Sequence, residues 1–223
     1  SIEPPAVINR QRRFLSEMKG HYDVSINLYE INQNLNFLLD YCDRYNIRER
    51  TFRLGLTVPV IGEANAYMPL ENYRPLAERV VDLATALKAY HNKISLDCGF
   101  PLCMFTDAQI GTLFRLKANI KFHCSPVVDI SPGGDTWYCF PLSQYFRIPL
   151  SEKQNPLSDL RYAYTKFYDF IKQHVTSGIY EDCAQCTYRA DGMCSGGCLA
   201  YSLKLASASS RQILEDFRHH ELP

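Results

Sequence analysis

The residues of this chain with the clearest chemical potential are four closely spaced cysteines near its C-terminal end. Cys183 and Cys186 are separated by two residues, and Cys194 and Cys198 are separated by three. Thiolates two residues apart in a tight turn converge on one metal, because neighbouring backbone N–H groups fold around the sulfurs. Glycines interleave with these cysteines and permit the close backbone approach that a metal cluster needs: Gly192, Gly196 and Gly197. The pattern predicts a metal centre.

Two further cysteines, Cys124 and Cys139, bracket a segment with the pattern of a β-hairpin. Residues 127–130 and 136–139 are rich in β-forming side chains, and residues 131–135 between them contain a glycine turn. Strand pairing here would bring the two cysteines together or direct both at one centre.

The composition argues against several classes of protein. Of 223 residues, 46% are hydrophobic and 22% are charged, and 24 Lys and Arg balance 24 Asp and Glu. This balance gives no support for a nucleic acid partner or a membrane surface. Apolar stretches are shorter than a membrane span, and the N-terminus lacks a signal-peptide pattern, so we expect a cytoplasmic protein. In that compartment nine cysteines favour metal over disulfides.

The chain before residue 120 alternates strand and helix patterns and predicts an α/β fold. Strands are predicted at residues 22–28, 51–60 and 94–96, and helices at 31–46, at 72–91 and after the cap Thr106-Asp107. Such alternation is typical of parallel strands joined by crossover helices. Three βα units would leave the first strand at an exposed edge, so we expect the chain to be a fragment or to lack a partner segment before residue 1.

The pattern changes after residue 120, which divides the chain into two predicted domains. Residues 1–120 form the α/β part, and residues 121–223 form a small cysteine-rich module. In the second part a long helix begins at Pro156 and runs to about residue 176. The cysteine-dense stretch 183–198 and a short helical tail follow.

The six late cysteines and Gly134 together resemble the SPASM extension of radical S-adenosylmethionine (SAM) enzymes. The chain has Cys124-x9-Gly134-x4-Cys139, a gap, and Cys183-x2-Cys186-x7-Cys194-x3-Cys198. The family pattern is C-x9–15-G-x4-C, a gap, C-x2-C-x5-C-x3-C, a gap and a last cysteine. This chain departs from it by two extra residues before Cys194 and by the lack of a seventh cysteine after Cys198. The upstream βα units resemble the last three of the six in that family's partial barrel.

The resemblance implies the C-terminal part of an enzyme that modifies a peptide or protein. In that family a cluster on a CxxxCxxC loop splits SAM to a 5′-deoxyadenosyl radical, which abstracts hydrogen from the substrate. Sulfatase-maturating and ribosomal-peptide-maturing enzymes are the nearest classes. The present sequence has no CxxxCxxC, since Tyr201 stands where a third cysteine would follow Cys194 and Cys198. Activity would therefore require the missing N-terminal half of the barrel.

The resemblance further implies one or two auxiliary [4Fe–4S] clusters and a site for SAM. The first cluster would take Cys124, Cys139 and Cys198, with a fourth ligand from Cys103 or Cys98. The second would take Cys183, Cys186 and Cys194, with His219, His220 or an open iron in fourth place. The candidate SAM contacts lie on the first two strands: Asn27, Arg53 and Thr57.

Non-enzymatic interpretations of the same residues stay open. Thiolates at these spacings also suit tetrahedral zinc, which would make the chain a zinc-stabilised binding or scaffold module. Cys98 and Cys103 could equally serve loop packing, and the three strand residues could simply satisfy strand ends. Cys42, on an apolar helix face, is expected to be a small buried hydrophobe. Three histidines have no partner pattern and are expected at the surface or at boundaries: His21, His91 and His174.

Overall fold

The structure is a computed structural model that describes residues 5–18, 22–150, 156–207 and 212–213. Within these residues the fold is mixed α/β, as predicted, with seven α-helices and two three-stranded sheets. It divides into two compact units. The first comprises the described residues up to Thr57, with Met68–Asp97 and Cys103–Lys121, and the second comprises Val58–Tyr67, Cys98–Leu102 and the described residues from Phe122 onward. Two loop segments before residue 120 thus belong to the second unit.

The first unit is a parallel sheet with helices between its strands. In chain order its elements are α1 (Pro5–Glu17), β1 (Val24–Leu28), α2 (Phe37–Arg44), β2 (Thr51–Leu56), α3 (Tyr73–Leu87), β3 (Lys93–Leu96) and α4 (Asp107–Arg115). The strand order is β1-β2-β3, and both pairings are parallel. Among the described strands β1 pairs with β2 alone, so it lies at an edge of the sheet, as the sequence predicts. Helix α1 was not predicted.

The two faces of this sheet differ in polarity because successive side chains point to opposite sides of a strand. One face is apolar and buried, with the aligned residues Ile94, Phe52, Leu54 and Leu96 at most 3% exposed. The apolar stripe predicted on α3 is also buried: Leu76, Val80, Leu83 and Leu87. The opposite face of β1 and β2 carries exposed polar residues: Ser25, Asn27 and Arg53. The sheet therefore has one core face and one polar face.

The second unit packs a helix with a small antiparallel sheet around an aromatic core. Its elements are β4 (Asp129–Ile130), β5 (Asp135–Trp137), β6 (Arg147–Pro149), α5 (Pro156–Phe170), α6 (Thr187–Ala190) and α7 (Leu199–Leu205), and α5 continues into a π-helical turn, Ile171–Val175. The predicted hairpin is β4 and β5, and β6 adds a third strand that was not predicted. The rings of Phe146 and Phe167 stack at 4.5 Å, and the Tyr164 hydroxyl lies 2.9 Å from Thr136 Oγ1. No helix within the described ranges is long and apolar enough to cross a lipid bilayer.

Helix α4 begins at the predicted cap, which supplies a test of the fold. Thr106 Oγ1 accepts a hydrogen bond from the Gln109 backbone N–H, and the Gln109 side chain accepts one from the Thr106 N–H. Replacing Thr106 by Ala removes the acceptor, and we expect the free energy of unfolding to fall by about 1 kcal/mol. Urea unfolding followed by circular dichroism measures this loss.

The matched control is Thr106→Ser, which keeps a hydroxyl at the cap and should unfold close to the unmodified chain. Equal stability of Thr106→Ala and Thr106→Ser would show that the capping box contributes nothing.

Candidate metal-binding site

The nine cysteines all fall within the described residues, and each is present as a thiol rather than in a disulfide. Cys183, Cys194 and Cys198 are buried, at most 8% exposed, whereas Cys98 and Cys103 are exposed. In the described part of the chain, no three Cys, His, Asp or Glu side chains are placed together to hold a metal ion. The candidate site is therefore built from pairwise contacts among the cysteine-bearing loops.

The β4–β5 hairpin positions the first two cysteines of the pattern. Its turn contains Gly134 at φ +86°, a conformation that favours glycine, and a Cβ there would meet no atom within 4 Å. Backbone geometry, not space, thus requires this glycine. Past the turn, the hydroxyl of the buried Tyr138 lies 3.6 Å from Cys124 Sγ. Cys139 follows directly, so Cys124 and the start of the Cys139 turn are close together.

Ser195 holds the hairpin cysteine against the later cysteine loop. The Cys124 N–H donates to Ser195 Oγ at 2.8 Å, and the Ser195 N–H donates to the Phe122 carbonyl at 2.9 Å. The two partners of the first bond are 71 residues apart in the chain. Sequence reasoning did not single out Ser195, although its place between Cys194 and Gly196 was a usable signal. These bonds place Cys124 beside the loop that carries Cys194 and Cys198.

The second half of the cysteine pattern, Cys183 to Cys198, depends on close contact between the loop that contains Gly178 and the loop that contains Gly196. A Cβ at Gly178 would lie 2.6 Å from Cys183 Sγ and 2.8 Å from the Gly196 carbonyl oxygen, so only glycine fits without a shift. Gly196 itself has φ +79°, and its N–H donates to Cys194 Sγ at 3.4 Å. A backbone N–H directed at a cysteine sulfur stabilises a thiolate. The predicted close backbone approach is found at Gly196, where a Cβ would lie 2.6 Å from the Ser177 carbonyl oxygen, but not at Gly192, where a Cβ would meet no atom within 4 Å.

Electrostatic interactions extend the group to four thiols. Burial raises the pKa of Cys139 far above its ordinary value, and Cys198, Cys124 and Cys98 raise it further. Burial likewise raises the pKa of Cys198, and Cys124 and Cys98 act in the same direction. The four thiols are therefore near enough to disfavour one another's ionisation. A metal cation would remove that cost, since it binds the deprotonated form and releases the proton.

The two candidates for a fourth ligand differ in position. Cys98 belongs to the second unit and interacts electrostatically with Cys139 and Cys198. Cys103 belongs to the first unit, beside Met104 and Thr106 in a pocket that also contains Arg74 and Glu78. The other proposed ligands, His219 and His220, lie outside the described residues, as does His21.

The donor set fits an iron–sulfur cluster in its chemistry. Three of its thiols are buried, one sulfur accepts a backbone N–H, and a glycine lets the backbone approach closely; cysteine thiolates with hydrogen bonds to their sulfurs are what such clusters use. Zinc would accept the same thiols. Cys42 is apart from this set, because it is fully buried, with Asn92 Nδ2 at 3.3 Å from its sulfur, and burial raises its pKa.

The three candidate SAM contacts all belong to the first unit. Asn27 and Arg53 lie on the polar face of the sheet, and Arg53 forms a 2.9 Å ion pair with Asp97. A Cβ at Gly55 would lie 2.8 Å from Asn27 Oδ1, so the glycine leaves room beside that amide. Thr57 Oγ1 donates to the Leu28 carbonyl at 3.0 Å, which satisfies a strand end.

Comparison with known proteins gave no match. The chain matches no protein-family model, no curated protein and no solved structure. A functional conclusion must therefore rest on the residues and their geometry.

The burial of the thiols predicts a graded reactivity in the metal-free protein. Alkylation requires an accessible thiolate, so Cys98 and Cys103 should react with iodoacetamide first, and Cys42, Cys139 and Cys198 should react only after unfolding. Mass spectrometry of peptides after timed labelling measures the order. Equal labelling of Cys98 and Cys198 in the folded protein would contradict the burial described above.

Proposed function

We propose that this chain binds auxiliary iron–sulfur clusters as the C-terminal part of a radical SAM enzyme that modifies a peptide or protein. The observation that carries the proposal is the approach of cysteines from distant parts of the sequence within one unit. Ser195 holds Cys124 beside the Cys194–Cys198 loop, and Cys98, Cys124, Cys139 and Cys198 interact electrostatically. A disulfide scaffold would pair thiols, whereas four unpaired thiols in mutual electrostatic range favour a multinuclear centre.

The first proposed cluster takes Cys98, Cys124, Cys139 and Cys198. Cys98 is preferred to Cys103 because it interacts with Cys139 and Cys198 in the same unit. Cluster binding would draw these sulfurs together and let all four be thiolates, because iron offsets the charge repulsion that otherwise disfavours their ionisation. The proposal assigns Cys103 no ligand role.

The second proposed cluster takes Cys183, Cys186 and Cys194. Cys183 lies in a 3-10 turn, Glu181–Ala184, and Cys186 directly precedes α6. The Gly196 N–H already points at Cys194 Sγ and would stabilise a bound thiolate. By hypothesis, the fourth iron of this cluster either takes a histidine ligand from residue 219 or 220 or is left without a protein ligand.

The polar face of the first unit is the proposed binding surface for SAM. Parallel strands with intervening helices are the architecture of half of a partial barrel, and Asn27 and Arg53 lie on the exposed polar face. A catalytic cluster would supply the electron that cleaves SAM, and the proposal assigns that cluster to a CxxxCxxC motif outside these residues. The proposed role of the present residues is to hold SAM and the auxiliary clusters.

Removal of the Cys183–Cys186 pair tests the metal assignment. The chain is purified anaerobically, reconstituted with iron and sulfide, and assayed for iron, acid-labile sulfide and zinc. We expect a brown protein, and we expect Cys183→Ala with Cys186→Ala to lose about half of the iron, since one of two clusters loses its ligands. Zinc at one ion per chain without sulfide would establish the zinc-stabilised module instead.

Two controls make this result specific. Cys42→Ala removes a buried thiol that has no ligand role, and its iron content per folded chain should equal that of the unmodified protein. Reconstitution should also protect Cys98 from iodoacetamide while Cys103 continues to react. Protection of Cys103 alone would move the fourth ligand to that residue.

A further inference from the structure

Lys172 places a cation inside the second unit, which contains the proposed cluster ligands. The residue lies in the π-helical turn Ile171–Val175 that follows α5. Its ammonium nitrogen is fully shielded from solvent and has no hydrogen-bond partner among the described residues. π-Helical turns are rare and are frequently found at functional sites. The buried ammonium therefore needs a physical explanation.

The surroundings of Lys172 are the loops that carry the second half of the cysteine pattern. A Cβ built at Gly196 would lie 3.5 Å from the Lys172 nitrogen, and the same Gly196 donates its N–H to Cys194 Sγ. A Cβ built at Gly178 would lie 2.6 Å from Cys183 Sγ and 2.8 Å from the Gly196 carbonyl oxygen. The ammonium therefore lies beside the point where the two loops meet.

The electrostatic neighbours of Lys172 come from both proposed ligand sets. Burial lowers the pKa of Lys172, whereas Cys124, Cys183 and Cys198 act in the opposite direction. Cys124 and Cys198 belong to the first proposed cluster and Cys183 to the second. The cation thus lies within range of both.

The Lys172 ammonium lacks sufficient compensation from the protein itself. The ring of Tyr168, with its centroid at 5.7 Å, offers a cation–π contact, and Arg189 is a further positive charge that lowers the pKa of Lys172. A buried charge without a partner is strongly unfavourable. An anionic group beside the loop contact would supply the missing partner.

We infer that Lys172 is the counter-cation of the iron–sulfur centres held by these thiolates. This rests on the function proposed above. A [4Fe–4S] cluster with four thiolates is an anion, and one-electron reduction by an external donor adds one negative charge without a proton. A fixed cation nearby stabilises the reduced form more than the oxidised form, so it raises the reduction potential. It also reduces the repulsion between two neighbouring anionic clusters. Lys172 is a positioning residue in this sense, not an iron ligand.

The same helix offers a matched control. Lys166 places its nitrogen 5.5 Å from the centroid of Tyr162, four residues earlier, in the same relation that Lys172 has to Tyr168. Lys166 is exposed. The two lysines therefore lie on the same continuous helical segment, share an aromatic contact and differ in burial.

The test compares Lys172→Met, Lys172→Arg and Lys166→Met after anaerobic reconstitution with iron and sulfide. A potentiometric titration followed by EPR gives the reduction potentials, and iron release to a chelator gives the kinetic stability of the clusters. We expect Lys172→Met to shift at least one potential in the negative direction and to release iron faster. Lys172→Arg should restore both quantities, and Lys166→Met should leave them unchanged.

The outcomes separate this inference from the function on which it rests. Unmodified protein that takes up no iron and sulfide overturns the proposed function, and the inference with it. Unmodified protein that takes them up, with Lys172→Met equal to it in potential and iron release, overturns the inference alone. So does a Lys172→Arg variant as impaired as Lys172→Met, because that result indicates a packing role. If Lys172→Met does not fold by circular dichroism, Lys172→Gln is measured in its place.

Discussion

The contact between the loops at Gly178 and Gly196 is the constraint on which the arrangement of cysteines in the second unit depends. Any side chain at Gly178 would collide with Cys183 Sγ, and a Cβ at Gly196 would lie 2.6 Å from the Ser177 carbonyl oxygen. Since φ at Gly196 is also positive, both its conformation and its space exclude other residues. This contact brings the Cys183 turn to the Cys194–Cys198 loop. Ser195, in that same loop, then holds Cys124.

The first unit is organised by a simpler constraint, which is that successive side chains along a strand point to opposite faces of the sheet. Alternation along β1 and β2 buries Phe52 and Leu54 on one side and leaves Asn27 and Arg53 on the other. Parallel sheets in α/β proteins are usually covered on both faces, and their strands are then apolar throughout. The polar second face is therefore unusual for a parallel sheet, and it is the property expected of a surface that binds a polar ligand.

Local patterns in the sequence predicted most of the helices and strands but not the contacts among them. The strand and helix order of the first unit, the Thr106 cap and the hairpin around Gly134 follow from short-range rules of periodicity and turn chemistry. Helix α1 and strand β6 were missed, as was the place of Lys172, because the period of a helix face does not reveal a π-helical turn. Cys98 and Cys103 could not be distinguished from the sequence, since their difference is the unit to which each belongs. The resemblance to the SPASM pattern drew attention to six cysteines, and the structure added Ser195 and Gly178 as residues that hold their loops together.

The long sequence separation of the Ser195 hydrogen bonds has a consequence for the order of folding. Partners 71 and 73 residues apart can meet only after the whole chain between them, which includes the hairpin and α5, has been made. During synthesis Cys124 therefore emerges well before the loop that will hold it. Its thiol, and that of Cys139, pass through a period of exposure in which an oxidant could couple them. Assembly of this unit thus favours a reducing environment until the last cysteine has been made.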